Sequence, residues 1–316
     1  MQPITLSPLH QAIIKALLYA DIFNHPLTAN EIAEFSSHPQ TNIQQVEAAL
    51  PHLLAKGLIF ACKNFYGLKA YPDIEKMVAD RLIGNQRAEK ILPLAFRISK
   101  FIGSFPFVRG VLLSGSLSKN RLAADGDIDY FIIAQPNRLW LTRTLLVGFK
   151  KLFLFNSHKY FCVNYFIDTN HLQIEEQNLF SATELITLLP TYGQLLYPKF
   201  WQANNWVKQY YPNSAPRPYT HLPIGKGNWL KNGMEWVLNK TIASRIDKWC
   251  MQKTIKHWVK NYSAQIEADD FKIAFKSTPY TSKHHPNQFQ KKVLEKLNEK
   301  IANYEVVHQL SLNSTI

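Results

Sequence analysis

The chain has 316 residues, 46% of them hydrophobic and 19% charged, enough to bury two modest cores or one large one, which excludes a peptide hormone, a collagen-like fibre and a disordered tail. Lys and Arg number 36 against 23 Asp and Glu, a net charge of +13 that favours anionic partners such as phosphates, nucleic acid or acidic lipid. Cys62, Cys162 and Cys250 lie far apart, with no CxxC and no short Cys/His spacing; neither a disulfide framework nor a zinc ribbon is expected, and a reducing cytoplasm fits.

The N-terminus, MQPITLSPLHQ, has no basic stretch leading into an apolar core, so no signal peptide is expected. An apolar-periodic run from about His10 to Phe23 predicts a first helix. Thr28-Ala-Asn-Glu31 reads as a capping box opening a second helix, and Thr41-Asn-Ile-Gln44 repeats that signature before a third. The third runs through Val46, Leu50, Leu53 and Leu54 to Gly57, with Pro51 expected to kink it. Leu58 to Cys62 and Phe65 to Lys69 flank a Lys63-Asn64 turn, the pattern of a two-stranded wing.

Residues 1–70 therefore resemble a winged helix, which implies DNA binding. The electrostatics point elsewhere. The segment holds four basic and four acidic residues, and its third helix offers Asn42, Gln44, Gln45, Glu47 and His52 with a lone Lys56. A DNA reader gains affinity from several Lys/Arg contacts to phosphates, so a protein-contacting or packing role is favoured and nucleic acid is not supported as a partner.

Residues 71–106 are expected to form a helical connector, and from Phe107 to Ile167 the pattern becomes strand, loop, strand, helix, strand. Leu139 to Phe155, the most apolar stretch, is broken by Arg143, Lys150 and Lys151; it reads as a half-buried helix, not a membrane span, with a membrane-surface role the lesser alternative. Ser181 to Leu189 predicts a helix ended by Pro190, and four prolines between Pro212 and Pro223 mark a link. A long helical pattern follows from about Asn228 to Tyr262.

Chemistry concentrates between Val111 and Ile133. An apolar run ends at Gly115-Ser116, ten residues intervene, and Asp127-Ile-Asp129 opens a second apolar run. Side chains at i and i+2 of a strand face the same way, so the two aspartates point together and repel unless a cation lies between them. Hard oxygen ligands suit Mg²⁺ or Mn²⁺ better than zinc. Gly115 permits close backbone approach, Ser116 offers a hydroxyl and an N–H to a phosphate, and Lys119 and Arg121 share the loop. An Asp-rich hairpin turn without chemistry is the plain alternative, but it would not need Asp129 inside an apolar run.

This Gly-Ser, spacer and Asp-x-Asp arrangement between apolar strands resembles the nucleotidyltransferase superfamily of the DNA polymerase β type, over roughly residues 107 to 170. The resemblance implies that Asp127 and Asp129 hold two divalent metals on a nucleoside triphosphate and that Gly115 and Ser116 contact its phosphates; Lys119, in the same loop, is expected to bind the nucleotide with them. The resemblance also implies a third carboxylate on a neighbouring strand. Along Lys159 to Asp168, alternation places Cys162, Asn164, Phe166 and Asp168 on one face, with Asn164 where the carboxylate is expected. An amide cannot act as a base. Three alternatives stay open: Asn164 as a neutral ligand in an active enzyme, Asp168 as the missing carboxylate, or a site that binds nucleotide without turnover.

Of the net +13, residues 199–316 carry +10, from 18 basic and 8 acidic residues. Lys240, Arg245, Lys248, Lys253, Lys256 and Lys260 punctuate a helical pattern with Trp229, Trp236, Trp249 and Trp258. Tryptophans inward and lysines solvated is the favoured reading; a face closing over the triphosphate or a polyanionic acceptor is the alternative. Lys283-His284-His285-Pro286 reads as a helix lead-in and not as a metal site, and His158 and His171 carry no motif.

The expected fold is thus α/β (α+β): a winged-helix-like module at 1–70, the connector at 71–106, a nucleotidyltransferase domain with a short mixed sheet at 107–198 and a basic, mainly helical C-terminal domain at 199–316. The expected function is metal-dependent transfer of a nucleoside monophosphate from a nucleoside triphosphate to a hydroxyl on a small molecule, protein or RNA. The alternative is a catalytically inactive, nucleotide-binding regulator or antitoxin-like protein whose winged helix meets a partner or DNA.

Overall fold

The computed structural model describes residues 6–157, 159–224, 227–238, 241–285 and 288–312. His158, Lys240 and Pro286, each singled out in the sequence, lie outside them.

The first segment folds as α1 (Pro8–Asp21), α2 (Ala29–Glu34), α3 (Ile43–Ala55), β1 (Phe60–Cys62) and β2 (Phe65–Gly67). The Thr28 capping box forms as read: Glu31 N–H donates to the Thr28 hydroxyl at 3.3 Å and Thr28 N–H to the Glu31 carboxylate at 2.9 Å. The second box sits one residue later than expected, on Asn42 and Gln45 (2.9 and 3.0 Å). Thr41 is withdrawn from it because its hydroxyl is taken by the His38 carbonyl at 2.8 Å and by Ser36 at 3.2 Å. Pro51 stays inside α3 on the exposed side.

A single helix, α4 (Asp73–Gly103), fills the connector, with Pro93 in its interior. Then come β3 (Val108–Ser114), the one-turn α5 (Gly115–Ser118), β4 (Asp129–Ala134), α6 (Leu139–Phe153), β5 (Cys162–Asp168), α7 (Leu179–Thr187), β6 (Leu189–Tyr192) and α8 (Tyr197–Ala203). Pro190 does not merely end the preceding helix. It lies in β6, opposite Leu112 at the edge of the sheet, where a residue without an N–H costs no interior ladder bond. The long helical pattern resolves into α9 (Trp229–Leu238) and α10 (Thr241–Tyr262), followed by α11 (Ala268–Ala274), β7 (Ser277–Thr278), β8 (Thr281–Lys283) and α12 (Phe289–His308).

Six strands form one mixed sheet in the order β6-β3-β4-β5-β8-β7, parallel only between β4 and β5. Strand alternation divides its side chains between two cores. Val111, Leu113, Tyr130, Ile132 and Phe166 pack under α4, α6 and α10. Leu112, Phe131, Ile133 and Ile167 pack on the opposite face against α7 and α8. A third core joins α1, α2 and α3 to Val293, Leu297 and Tyr304 of α12.

The boundary expected at residue 198 is therefore no seam in the packing. The 199–316 stretch supplies two strands to the sheet and one helix to the core of the first seventy residues. Hydrogen bonds tie the same parts together: the Arg121 guanidinium donates to the Phe23 carbonyl at 2.7 Å, and Lys300 meets Asp21. Among the described residues, no helix is long and apolar enough to cross a membrane.

Candidate active site

Antiparallel pairing sets Ser114 of β3 opposite Asp129 of β4, so the chain leaving β3 turns directly over that carboxylate. Gly115 takes a φ of +67°, and a Cβ there would stand 2.5 Å from Asp129 Oδ2. Both facts demand glycine: the left-handed conformation is costly for other residues, and the approach leaves no room for a side chain. Ser116 and Lys119 follow on and just after α5. All six residues singled out for the site, Gly115, Ser116, Lys119, Asp127, Asp129 and Asn164, line one cavity of about 1220 Å³. That exceeds the roughly 300–1,000 Å³ of an ordinary small-molecule pocket.

Asp127 precedes β4, Asp129 begins it, and both face the α7 side of the sheet, as the period of two requires. Asp127, Asp129 and Cys162 bring ligand atoms within 4.8 Å of one another. Burial, then the neighbouring Asp127, pushes Asp129 up to about 6: two carboxylates share a space that holds two negative charges poorly. A hard divalent cation fits this donor set. Cys162 supplies the third atom of the cluster, and burial, then the two aspartates, push its thiol up.

The third position departs from the expected alternation. In the β4–β5 pairing, Tyr130 meets Val163 and Phe131 meets Tyr165, which leaves Asn164 as the extra residue of a bulge. Cys162 and Asn164 share the cavity face as read, but Tyr165 joins them there while Phe166 turns into the opposite core. Asp168, expected beside Asn164, is displaced with Phe166. It is 3% exposed and accepts the N–H groups of Asn170 and His171 at 2.9 Å each, and it pairs with His171 Nδ1 at 2.8 Å. Asp168 caps a turn and does not line the cavity, so it is not the third carboxylate. Asn164 Nδ2 donates to Asp129 Oδ1 at 3.0 Å, and the Asn164 carbonyl accepts from His284 N–H at 3.0 Å.

Other groups on the cavity wall were not legible in the sequence. Glu184 of α7 holds Lys119 Nζ at 2.9 Å, and the same ammonium donates to the Gly115 carbonyl at 3.1 Å. Lys283, buried at the end of β8, lines the cavity with its ammonium 3.2 Å from Gln290 Oε1, and burial lowers its pKa. The segment does lead into a helix, α12, as read, but Lys283 itself closes strand β8, and Lys283, His284 and His285 line the cavity. His285 is pushed down to about 3 by burial, helped by Lys283 and His284. Glu184 carries no sequence signal, whereas Lys283 belongs to the segment that reads as a helix lead-in. Arg121, read as a loop cation, is committed to Phe23.

The first segment also takes part. Tyr19, Phe23, His25 and Phe35 of the α1–α2 region line the cavity together with Phe180, Phe289 and Leu297, the Phe289 ring lying 6.1 Å from that of Phe23 and 5.9 Å from that of Phe180. The outer side of α3 presents Asn42, Gln44, Gln45, Glu47, His52 and Lys56, all exposed. Three of the four expected inward tryptophans are not inward: Trp229, Trp236 and Trp249 are 79%, 73% and 56% exposed, and only Trp258 is buried. Nor do the α10 cations close over the cavity, whose lining includes none of them.

No family model, no curated protein and no solved structure matches the chain.

Proposed function

We propose that the chain is a nucleotidyltransferase that uses Mg²⁺ or Mn²⁺ to move a nucleoside monophosphate from a nucleoside triphosphate to a hydroxyl acceptor. The observation that carries this reading is the convergence of Asp127 and Asp129 on one sheet face, at the wall of a cavity large enough for two ligands, under a glycine turn packed against Asp129. In the reaction the acceptor oxygen forms a bond to the α-phosphorus as the bond from that phosphorus to the bridging oxygen breaks, and pyrophosphate leaves. A divalent cation held by Asp127 and Asp129 supplies charge neutralisation on the phosphate oxygens.

The chain's own groups account for the rest. Gly115 and Ser116 place a hydroxyl and backbone beside the triphosphate. Lys119 offers a cation that Glu184 holds in position. Asn164 orients Asp129 through its amide and cannot take the acceptor's proton. Carboxylate oxygens of Asp127, Asp129 and Glu184 are among the wall groups able to receive it. The α1–α2 region supports a small-molecule acceptor with apolar surface, since its aromatic side chains wall the chamber next to the carboxylates. A cytoplasmic setting fits the free thiols.

One observation favours a second reading. The amide of Asn164 stands where a carboxylate is expected, which suits a nucleotide-binding regulator without turnover, with the winged-helix-like segment meeting a partner or DNA. Incubation with each labelled ribonucleoside triphosphate and Mg²⁺ or Mn²⁺ separates the two. Pyrophosphate release that disappears in Asp127→Ala and Asp129→Ala supports the transferase. Metal-dependent nucleotide binding without release, with turnover gained in Asn164→Asp, supports the regulator. Absence of any nucleotide binding sinks both.

A further inference from the structure

Helix α9 is mounted with its polar side inward. Lys231 is buried, and its ammonium donates to the Gly103 and Val108 carbonyls at 2.8 and 2.6 Å. Glu235 takes both arms of the Arg109 guanidinium at 2.8 Å and the Phe107 N–H at 2.7 Å. These contacts tie the helix to the start of β3 by its charged residues. Trp229, Leu230, Met234, Trp236 and Val237 are left exposed on the same helix. A helix on a water-soluble surface ordinarily does the reverse and buries its apolar stripe.

Helix α10 continues the pattern with a charge. Ile242 and Trp249 are 62% and 56% exposed, and Arg245, Lys248, Lys253, Lys256 and Lys260 are exposed along the same helix. The only acidic residue from 241 to 262 is Asp247. It is buried, with Oδ1 accepting Leu141 N–H at 2.8 Å. No carboxylate on α10 offsets the five cations.

We propose that α9 and α10 together form a surface that lies on an anionic lipid bilayer without crossing it. Charge complementarity selects the occupant. Five exposed cations call for an anionic surface, and two copies of this face would repel each other. The apolar residues select lipid over nucleic acid. Bases stack on tryptophan, but Leu230, Met234, Val237 and Ile242 gain nothing from bases or phosphates, whereas all of them bury apolar area at the acyl boundary. Tryptophan prefers the headgroup level, with its ring in the apolar layer and its N–H in the wet one. Neither helix is long and apolar enough to span. The inference does not depend on the nucleotidyltransferase reading, since no α10 cation lines the cavity.

Sedimentation of the full chain with phosphatidylcholine vesicles, with and without phosphatidylglycerol, tests it. Binding to the anionic vesicles is expected to exceed binding to the neutral ones by about tenfold or more and to weaken as salt is raised. Tryptophan emission is expected to shift to the blue on binding. Trp229→Ser/Trp236→Ser and, separately, Lys248→Glu/Lys253→Glu are each expected to lower vesicle binding about tenfold, with thermal unfolding unchanged because the four side chains are exposed. The proposal is overturned if anionic vesicles fail to bind at low salt, or if the double tryptophan variant binds them as well as the parent. It is equally overturned if poly(U) binds in a tryptophan-dependent way while vesicles do not, or if the same variants convert a dimer into a monomer by light scattering.

Discussion

At Gly115 two separate demands meet in one residue: a left-handed φ and an open Cα beside Asp129 Oδ2. Alanine there meets both, so Gly115→Ala is expected to lose about 1–3 kcal/mol of stability in urea unfolding and to weaken nucleotide binding as Asp129 is pushed aside. A variant that keeps parental stability and nucleotide affinity would show that the turn yields more easily than its geometry implies. Asp127 and Asp129 were legible as a pair because the side-chain period of a strand is local. Glu184 was not, because it reaches Lys119 across 65 residues of sequence. The bulge at Asn164 was also illegible: it is defined by which residue of β4 faces which residue of β5, and Asp168 moved out of the site as a result.

Among the elements, β8 and the turn after it show how a late segment completes the site. Its strand adds to β5 antiparallel, with Tyr165 opposite Lys283, and the next two residues place His284 against Asn164 and His285 in the wall. Burial, with Lys283 and His284, holds His285 neutral down to about pH 3, whereas an unfolded histidine protonates near 6.5. Below pH 6.5 the unfolded chain therefore binds the extra proton, and stability falls as pH drops toward 3. This group alone contributes a slope of up to about 1.4 kcal/mol per pH unit in that window. Chemical denaturation at pH 7.5, 6 and 5, with His285→Gln as the comparison, checks it: the variant is expected to show a flatter decline, and an unchanged one would locate the proton uptake elsewhere.

The molecule as a whole is held together by contacts between its ends. Leu297 and Tyr304 of α12 share a core with α1, and the Tyr304 hydroxyl donates to the Leu58 carbonyl at 2.6 Å. Arg81 of α4 reaches the Pro26 carbonyl and Glu31. A chain cut to residues 71–316 would expose to water the α12 side of that core and strip Arg81 of its partners Pro26, Glu31 and Phe65, at a cost of several kcal/mol, mostly from the lost apolar burial. It is expected to aggregate or to unfold without a cooperative transition by circular dichroism. A sharp transition comparable to that of the full chain would show that the first segment is an independent module.

Short-range rules made part of the structure legible in the sequence: helices α1 to α3 with their two capping boxes, one of them shifted by a residue to Asn42, the strand–turn–strand course around Gly115, and the shared face of the two aspartates. Periodicity, capping and turn chemistry act over a few residues and are written in them. Contacts between distant segments settled the rest: which residue the β5 bulge expelled, that Glu184 and Lys283 join the wall, and that the first segment packs on the site. They also settled that α9 stands with its tryptophans outward. Each of these depends on partners far apart in the chain, as in the Arg109–Glu235 pair that anchors α9 across 126 residues, and the net gain of such a pair depends on burial and neighbours that no local pattern specifies.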